Sequence, residues 1–221
     1  MAAEALGPLR GAVVFVGGPI VQRLFTRAVR PSPRPIAGDD SVIEVVSRVE
    51  GEAFDASLRS NGFVEDRRED FVRRWRQDYV VMDVLPICEG NPGMLNPWYR
   101  LSVPYARAVK LTPQIFVDMI DAPHYLAAKL QTIRDWGTGD IRTSRNVRDI
   151  VLLLAGREEI RKELAEAQPE LREFVGSNLR SLSQVRPFED ACRNHLERAG
   201  MPDRMADVVA RQVEAILSLA D

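Results

Sequence analysis

The chain has 221 residues and a mass of 24.8 kDa, which is enough for one or two domains. Hydrophobic residues make up 45% of it and charged residues 28%, so the chain can bury a core and is neither disordered nor of low complexity. Thirty basic residues against 32 acidic ones give a net charge of −2, which excludes a chain that is basic throughout and leaves only local basic patches for nucleic acid.

The cysteines and the apolar runs indicate the compartment in which the protein works. Cys88 and Cys192 show neither a CxxC pattern nor Cys/His spacing, which argues against a structural zinc site and a disulfide scaffold. The N-terminus lacks a signal-peptide pattern, and the longest apolar runs, 12–16 and 150–155, are far shorter than the roughly 20 residues that span a bilayer. We therefore expect a cytoplasmic protein without a membrane partner.

Runs rich in apolar and β-branched residues predict strands in the first half of the chain. These runs lie at 11–16, 41–46, 71–76, 79–85, 106–111 and 114–117, with a hairpin turn at 77–78 and a Pro-, Gly- and Asn-rich loop at 90–104. Two helices are predicted between strands. Pro19 opens one after the turn Gly17-Gly18, and the capping box Ser47-x-x-Glu50 opens the other.

From residue 121 onward the spacing of apolar residues is helical. Helices are predicted at 121–134, 146–155, 157–165, 170–182, 188–199 and 204–219. The sequence therefore predicts an α+β fold of two domains. Residues 1–120 form a small mixed sheet flanked by helices, and residues 121–221 form a helical domain.

Acidic residues accompany two of the predicted strands. Asp39-Asp40 precedes the second strand, and Asp83 interrupts an otherwise apolar one. An ionised Asp among apolar neighbours is costly unless it is paired or bound to a metal. Two explanations stay open: a salt-bridged Asp, or carboxylates that hold Mg²⁺ for nucleotide chemistry. The glycines at 17 and 18 likewise fit either an ordinary tight turn or a backbone cradle for phosphate.

Lys129 and Asp149 are two charged residues in apolar surroundings. Lys129, one of three lysines, borders the apolar stripe of the first C-terminal helix, and Asp149 lies between apolar residues of the next helix. The two can form an ion pair that joins the helices. Alternatively, Lys129 covers core surface with its stem, or serves as a point charge for a triphosphate.

Two groups of arginines form local basic segments. Residues 19–38 contain no Asp or Glu, and carry Arg23, Arg27, Arg30 and Arg34. A second group is partly neutralised by Glu69 and Asp70 and consists of Arg67, Arg68, Arg73, Arg74 and Arg76. Such segments are either solvated surface or sites for an RNA backbone.

Six motifs occur in order along residues 10–185: Val-Phe-Val-Gly-Gly (14–18), Arg-Pro-x4-Asp-x3-Glu-Val (34–45), Val-Met-Asp-Val-Leu-Pro (81–86), Asn-x-Trp-Tyr (96–99), Ala-Pro-x-Tyr-Leu-Ala-x-Lys-Leu (122–130) and Arg-Asp (148–149). Together they resemble the AbiEii-type nucleotidyltransferases, a toxin-related branch of the DNA polymerase β-like nucleotidyltransferase superfamily. The resemblance implies a small mixed sheet followed by a helical part.

The resemblance also implies an activity and its site. Members transfer a nucleoside monophosphate from an NTP with release of pyrophosphate, use Mg²⁺ or Mn²⁺, in some cases modify the acceptor end of tRNA, and are neutralised by an antitoxin protein. The matching residues are Gly17 and Gly18 for the phosphate-cradling turn, Asp40 and Asp83 for the second and third metal carboxylates, and Lys129 and Asp149 for the motif of the helical part.

The sequence departs from the family pattern at two positions. Gly38 stands where the first carboxylate of the D-x-D motif falls, and Asp39 is one residue out of register, so it points to the opposite strand face. Leu152 stands where relatives often carry a second Asp after Asp149. Loss of one metal carboxylate is expected to impair chemistry that depends on two metal ions.

The leading hypothesis is a nucleotidyltransferase that binds NTP–Mg²⁺ through the Gly17-Gly18 turn and Lys129. Asp39, Asp40 and Asp83 are the expected metal ligands, and the acceptor is an RNA, first of all tRNA, bound across Arg23, Arg27, Arg30 and Arg34. The alternative is a catalytically degenerate module of the same fold that binds a nucleotide or a protein partner. A third hypothesis is transfer to a small hydroxylated molecule.

Overall fold

The computed structural model of the chain describes residues 2–31, 42–47, 51–66, 73–85 and 96–219. They divide into two compact units. The sheet unit comprises Met1–Ile20 and Pro35–Asp121, and the helical unit comprises Val21–Arg34 and Ala122–Asp221. The α+β class with a helical C-terminal half, predicted from the sequence, is confirmed.

The sheet unit is built on a mixed sheet whose strands follow the order β3-β4-β5-β2-β1-β7-β6. The strands are β1 (Val13–Phe15), β2 (Val42–Ser47), β3 (Val64–Asp66), β4 (Arg73–Gln77), β5 (Val80–Leu85), β6 (Arg107–Lys110) and β7 (Phe116–Met119). The pairs β1–β7 and β2–β5 are parallel, and the other neighbours are antiparallel. The predicted β4–β5 hairpin is confirmed, with Asp78 in its turn at a φ of 49°.

Short helices accompany these strands: α1 (Ala2–Ala5), α2 (Gly51–Ser60), α3 (Pro97–Ser102) and 3-10 helices at Gly7–Ala12, Gly18–Leu24 and Val103–Tyr105. The amphipathic α2 buries Phe54 and Leu58, one turn apart. The Arg59 guanidinium lies 5.2 Å from the ring centroid of the fully buried Trp75, so α2 covers the sheet face to which Trp75 belongs.

Three local predictions were wrong. Ser47 is not a helix cap but the last residue of β2, paired with Val13. The loop predicted at 90–104 contains α3, whose N-cap is Asn96, and the helix predicted after Pro19 is a 3-10 helix. Strand β3 was not predicted, since it is only three residues long and only one of them, Val64, is apolar.

The helical unit contains six α-helices within its described residues: α4 (Ala122–Trp136), α5 (Arg145–Gly156), α6 (Ile160–Glu166), α7 (Pro169–Ser183), α8 (Phe188–Arg198) and α9 (Met205–Leu217). Helix α4 packs against α5 and α7, and its residues 122–131 are all buried. Helix α5 also packs against α8 and α9, so α4 and α5 form the centre of this unit. No helix in the described ranges is long and apolar enough to cross a membrane.

The segment at 21–31 is fastened to the end of α5. The backbone N–H groups of Thr26 and Arg27 both donate to the carbonyl of Gly156, at 2.9 and 3.0 Å. The Phe25 ring lies directly over Gly156, and a Cβ at that position would be only 2.3 Å from the Phe25 Cγ. Glycine is therefore required at the end of α5 because the ring occupies the space of a side chain.

We predict that Gly156→Ala destabilises the helical unit. Alanine favours a helix over glycine by about 1 kcal/mol, but the contact with the Phe25 ring forces repacking, which typically costs about 1–3 kcal/mol. Thermal unfolding followed by circular dichroism at 222 nm should show a lower midpoint than wild type. Gly11→Ala is the control, since a Cβ there has no atom within 4 Å. A Gly156→Ala midpoint equal to or above wild type would contradict this packing.

Candidate functional site

Asp83 lies near the middle of the sheet unit and is 7% exposed. Its strand β5 runs between β2 and β4, and the pairing register sets Asp83 opposite Glu44 on β2 and opposite Arg74 on β4. Residues paired across neighbouring strands point to the same face, with strands about 4.8 Å apart. One face of the sheet therefore carries a transverse row of charged side chains: Glu44, Asp83 and Arg74.

The Asp83 carboxylate is paired with the Arg74 guanidinium. Arg74 Nε donates to Asp83 Oδ1 at 2.7 Å, and Arg74 Nη2 donates to Oδ2 at 2.9 Å. Both side chains are largely buried, since the exposed fraction is 10% for the Asp83 side chain and 19% for that of Arg74. A two-point contact of this kind supplies the charge and the hydrogen bonds that a buried carboxylate needs. Of the two explanations that the sequence left open for Asp83, the salt bridge is the one formed in this structure.

Gly17 follows β1, two residues after its last residue Phe15, and lies beside Glu44. The Val16 N–H donates to the carbonyl of Glu44 at 3.0 Å, which continues the β1–β2 pairing up to this turn. A Cβ at Gly17 would lie 2.8 Å from Glu44 Oε2 and 2.9 Å from Glu44 Cβ. Packing against Glu44 is therefore sufficient reason for a glycine at 17, and it brings a second carboxylate to the predicted phosphate turn.

The predicted metal site is only partly within the described residues. Asp39 and Asp40 lie outside them, as do Gly38 and Arg34. Among the residues that are described, no group of three or more His, Cys, Asp or Glu side chains converges as a metal site would require. Glu44 and Asp83 supply oxygen ligands of the type that Mg²⁺ prefers, but two carboxylates alone do not complete a site.

In the helical unit, Lys129 on α4 and Asp149 on α5 form a buried ion pair. Lys129 Nζ lies 3.0 Å from Asp149 Oδ2, and the two residues are 6% and 2% exposed. The pair that the sequence allowed is thus formed, and Lys129 does not extend its ammonium to the surface. Such a pair fixes the position of α4 along α5, because either charge left alone would be costly to bury.

Two further side chains surround this ion pair. Arg148 Nη2 lies 3.4 Å from Asp149 Oδ1, so the carboxylate contacts two cations. The Lys129 ammonium also lies 5.4 Å from the ring centroid of Tyr125, one turn earlier on α4, where the aromatic face favours a cation. Leu152, one turn after Asp149 on α5, is 5% exposed and belongs to the core.

His195 on α8 is a buried histidine, 3% exposed. Its Nε2 lies 2.8 Å from the carbonyl oxygen of Ile141, which assigns the proton to Nε2 as the donor. Burial lowers the pKa of His195, and the positive charges of Arg148 and Arg198 act in the same direction, while the Ile141 carbonyl and Asp149 oppose it. The imidazole therefore stays neutral at physiological pH and connects α8 to the loop before α5.

The basic segment predicted to bind RNA is partly engaged within the helical unit. Arg27 Nη1 pairs with Glu158 Oε1 at 3.3 Å. The Arg30 guanidinium lies 5.7 Å from the ring centroid of Phe25, and its Nη1 donates to the carbonyl of Val29 at 2.9 Å. Arg23 is exposed. The described arginines of the second group all pair inside the sheet unit: Arg73 with Asp55, Arg74 with Asp83, and Arg76 with Asp66.

Sequence reasoning overlooked Arg74 and Glu44 as neighbours of Asp83. The turn was predicted one residue too early, at 77–78, which does not set Arg74 opposite Asp83. The observed turn at 78–79 pairs Gln77 with Val80 and therefore Arg74 with Asp83. Glu44 belongs to the 34–45 motif, but the sequence analysis assigns it no role. Its proximity to Asp83 depends on β2 lying next to β5, which the local pattern of either strand does not determine.

No known protein family and no curated protein sequence matches this chain.

We predict that Lys129→Met destabilises the protein strongly, by about 3–5 kcal/mol, because it leaves Asp149 buried with only the longer Arg148 contact. Replacing both partners, as Lys129→Met with Asp149→Leu, should recover at least half of that loss. Urea unfolding measures the free energy of unfolding of the single and of the double variant. Lys162→Met is the matched control, because Lys162 and its partner Glu166 are exposed and 3.9 Å apart. A Lys129→Met variant whose free energy of unfolding lies within about 1 kcal/mol of wild type, the range of an exposed ion pair, would show that this pair contributes little to stability and would contradict the prediction.

A second prediction concerns pH. Because the folded pKa of His195 is lowered, the unfolded chain binds a proton at this ring before the folded chain does. The contribution of His195 to stability is therefore fully present above the unfolded pKa of about 6.5 and declines as the pH falls below it, by at most about 1.4 kcal/mol per pH unit. His195→Gln should lose less stability than wild type between pH 7.5 and pH 5.5. Equal losses in urea unfolding would refute this assignment.

Proposed function

We propose that the protein is a nucleotidyltransferase that transfers a nucleoside monophosphate from an NTP to a hydroxyl group of an RNA, with tRNA as the first acceptor to test. The observation that carries the proposal is the row on the sheet face: Asp83 beside Glu44, with the glycine turn at 17–18 directly against Glu44. A glycine turn next to carboxylates on adjacent strands is the arrangement that a nucleoside triphosphate with its divalent cation needs.

In this proposal the carboxylates hold the cation. Asp83, together with Asp39 and Asp40, supplies oxygen ligands for Mg²⁺ or Mn²⁺. A carboxylate offers about four acceptor positions, and Arg74 occupies two of those on Asp83, so the salt bridge leaves room for a metal. When bound, the ion neutralises triphosphate charge and lowers the pKa of the attacking hydroxyl. The acceptor hydroxyl oxygen would then form a bond to the α-phosphorus while the bond from that phosphorus to the bridging oxygen breaks. Pyrophosphate would leave, and the hydroxyl proton would pass to solvent.

Lys129 and Asp149 have separate tasks in the proposal. Lys129 is the cation for the phosphates, and Asp149 orients its ammonium at 3.0 Å, while Arg148 contacts the same carboxylate at 3.4 Å. These roles agree with the resemblance to AbiEii-type toxins, which also makes an antitoxin protein the expected partner. The exposure of the pair is low, so nucleotide binding on Lys129 requires movement of side chains around it.

The proposal is tested by label transfer. Purified protein is incubated with each α-labelled NTP, Mg²⁺ or Mn²⁺ and total tRNA. We expect label in RNA with wild type, and a loss of at least about 100-fold with Asp83→Asn, because one metal ligand is removed while the shape and one acceptor for Arg74 remain. Asp66→Asn is the matched control, since Asp66 pairs with Arg76 at 2.7 Å in the same sheet. Equal label with Asp83→Asn and Asp66→Asn would refute the role of Asp83.

A second candidate is a degenerate module that binds nucleotide without turnover. The two-point contact of Arg74 with Asp83 and the glycine at 38 favour it, because both reduce the charge available to a metal. This candidate predicts that wild type binds an NTP in calorimetry but transfers no label. Gly38→Asp should then create activity. Rapid label transfer by wild type would exclude it.

A further inference from the structure

Arg74 occupies the carboxylate that the proposed function assigns to the metal. Its Nε and Nη2 lie 2.7 and 2.9 Å from the two oxygens of Asp83, so a guanidinium nitrogen contacts each of them. The guanidinium is thus a cation already bound to oxygens of the type that Mg²⁺ prefers. Because one positive and one negative charge cancel, the pair offers a free divalent cation little net attraction.

The surroundings of this contact hold it in place. Arg74 and Asp83 are paired residues of β4 and β5, so the backbone register already brings the two side chains together. Both side chains are largely buried, where charges interact more strongly and are screened less by salt than in water. A divalent cation that shares an oxygen of Asp83 therefore lies close to a positive charge and is repelled by it.

The neighbouring charges on this sheet face do not provide a strong attraction for a free ion either. The pairing register sets Asp66 opposite Arg74, and Arg76 donates to Asp66 at 2.7 Å. On the described parts of β2, β3, β4 and β5, the charged residues of this face are Glu44, Asp66, Asp83, Arg74 and Arg76. Three carboxylates and two guanidinium groups leave one negative charge, which is less than the charge of the ion.

We propose that Arg74 makes a nucleoside triphosphate a condition for metal binding at Asp83. Arg74 neutralises the carboxylate, so a free divalent cation binds there only weakly. A triphosphate supplies the missing negative charge, and Mg²⁺ in proteins is commonly held by one or two carboxylates together with substrate phosphates. This inference rests on the proposed function for its nucleotide and its metal, and it adds the order in which they bind.

The first test is a titration of Mn²⁺ into the full chain without nucleotide, in which electron paramagnetic resonance measures the free ion. Arg74→Gln should bind Mn²⁺ at least about tenfold more tightly than wild type, because it removes the positive charge beside Asp83. Arg74→Lys keeps that charge, and its affinity should stay within about threefold of wild type. An Arg74→Gln affinity equal to that of wild type would overturn the proposal.

Two controls separate this effect from a general change in charge. Arg76→Gln removes a cation two residues further along β4, where Arg76 contacts Asp66, and changes the net charge equally. It should increase the Mn²⁺ affinity less than Arg74→Gln does. The gain of Arg74→Gln should also disappear when Asp83→Asn is added. Equal gains in the two arginine variants, or a gain that persists with Asp83→Asn, would contradict the proposal.

Thermal unfolding gives a readout that does not depend on activity. Arg74→Gln should lower the midpoint, because it leaves Asp83 in buried surroundings without the guanidinium. Since Mn²⁺ then replaces the lost cation, excess MnCl₂ should raise the midpoint of this variant by at least about 3 °C and that of wild type by less than about 1 °C. If the variant is unfolded without metal, its refolding on addition of MnCl₂ measures the same effect. No recovery with MnCl₂ would overturn the proposal.

Nucleotide binding and label transfer separate this inference from the proposed function. In equilibrium dialysis, wild type should bind an α-labelled NTP at least about tenfold more tightly with Mn²⁺ than with EDTA, and Asp83→Asn should lose this difference. If these results hold but no label reaches RNA, the proposed function fails and the inference stands. If wild type labels RNA but Arg74→Gln gains no affinity for Mn²⁺, the inference fails and the proposed function stands.

Discussion

Burial of carboxylates is the constraint on which both units depend. An ionised Asp in a low-dielectric interior is tolerated only with a cation and hydrogen bonds at hand. Asp83 meets this requirement through Arg74, and the contact fixes the register of β4 on β5. Asp149 meets it through Lys129, and the contact fixes α4 on α5. Each unit thus has a charged pair at its centre that stabilises the fold only while both partners are present.

The same pairs are the groups on which nucleotide chemistry would act. In the proposed function, a triphosphate would bring negative charge to Lys129 and a divalent cation would bring positive charge to Asp83, so each ligand would compete with or supplement an existing partner. The two hydrogen bonds from Arg74 hold the Asp83 carboxylate in one orientation. The proposed function would therefore act on buried charges that also stabilise the fold.

The sequence predicted most elements because their patterns are local. The β4–β5 hairpin and the six helices from residue 122 onward follow from periodicity, and the Lys129–Asp149 pair follows from two charges on neighbouring apolar helices. The predictions that were wrong concern features that depend on tertiary contacts or on competing local signals. The Pro-rich stretch before α3 masked the cap at Asn96, and Ser47 paired in the sheet although its sequence suits a helix start. The position of Glu44 beside Asp83 depends on strand order, which single-strand patterns do not contain.

The most direct measurement is a crystal structure with Mn²⁺ and a non-hydrolysable NTP analogue, in which the anomalous signal of manganese locates the ion independently of the protein. The account predicts a manganese ion with a carboxylate oxygen of Asp83 among its ligands and the triphosphate against that ion. A nucleotide bound at saturating Mn²⁺ with no metal at Asp83, its carboxylate still held by Arg74 alone, would contradict it.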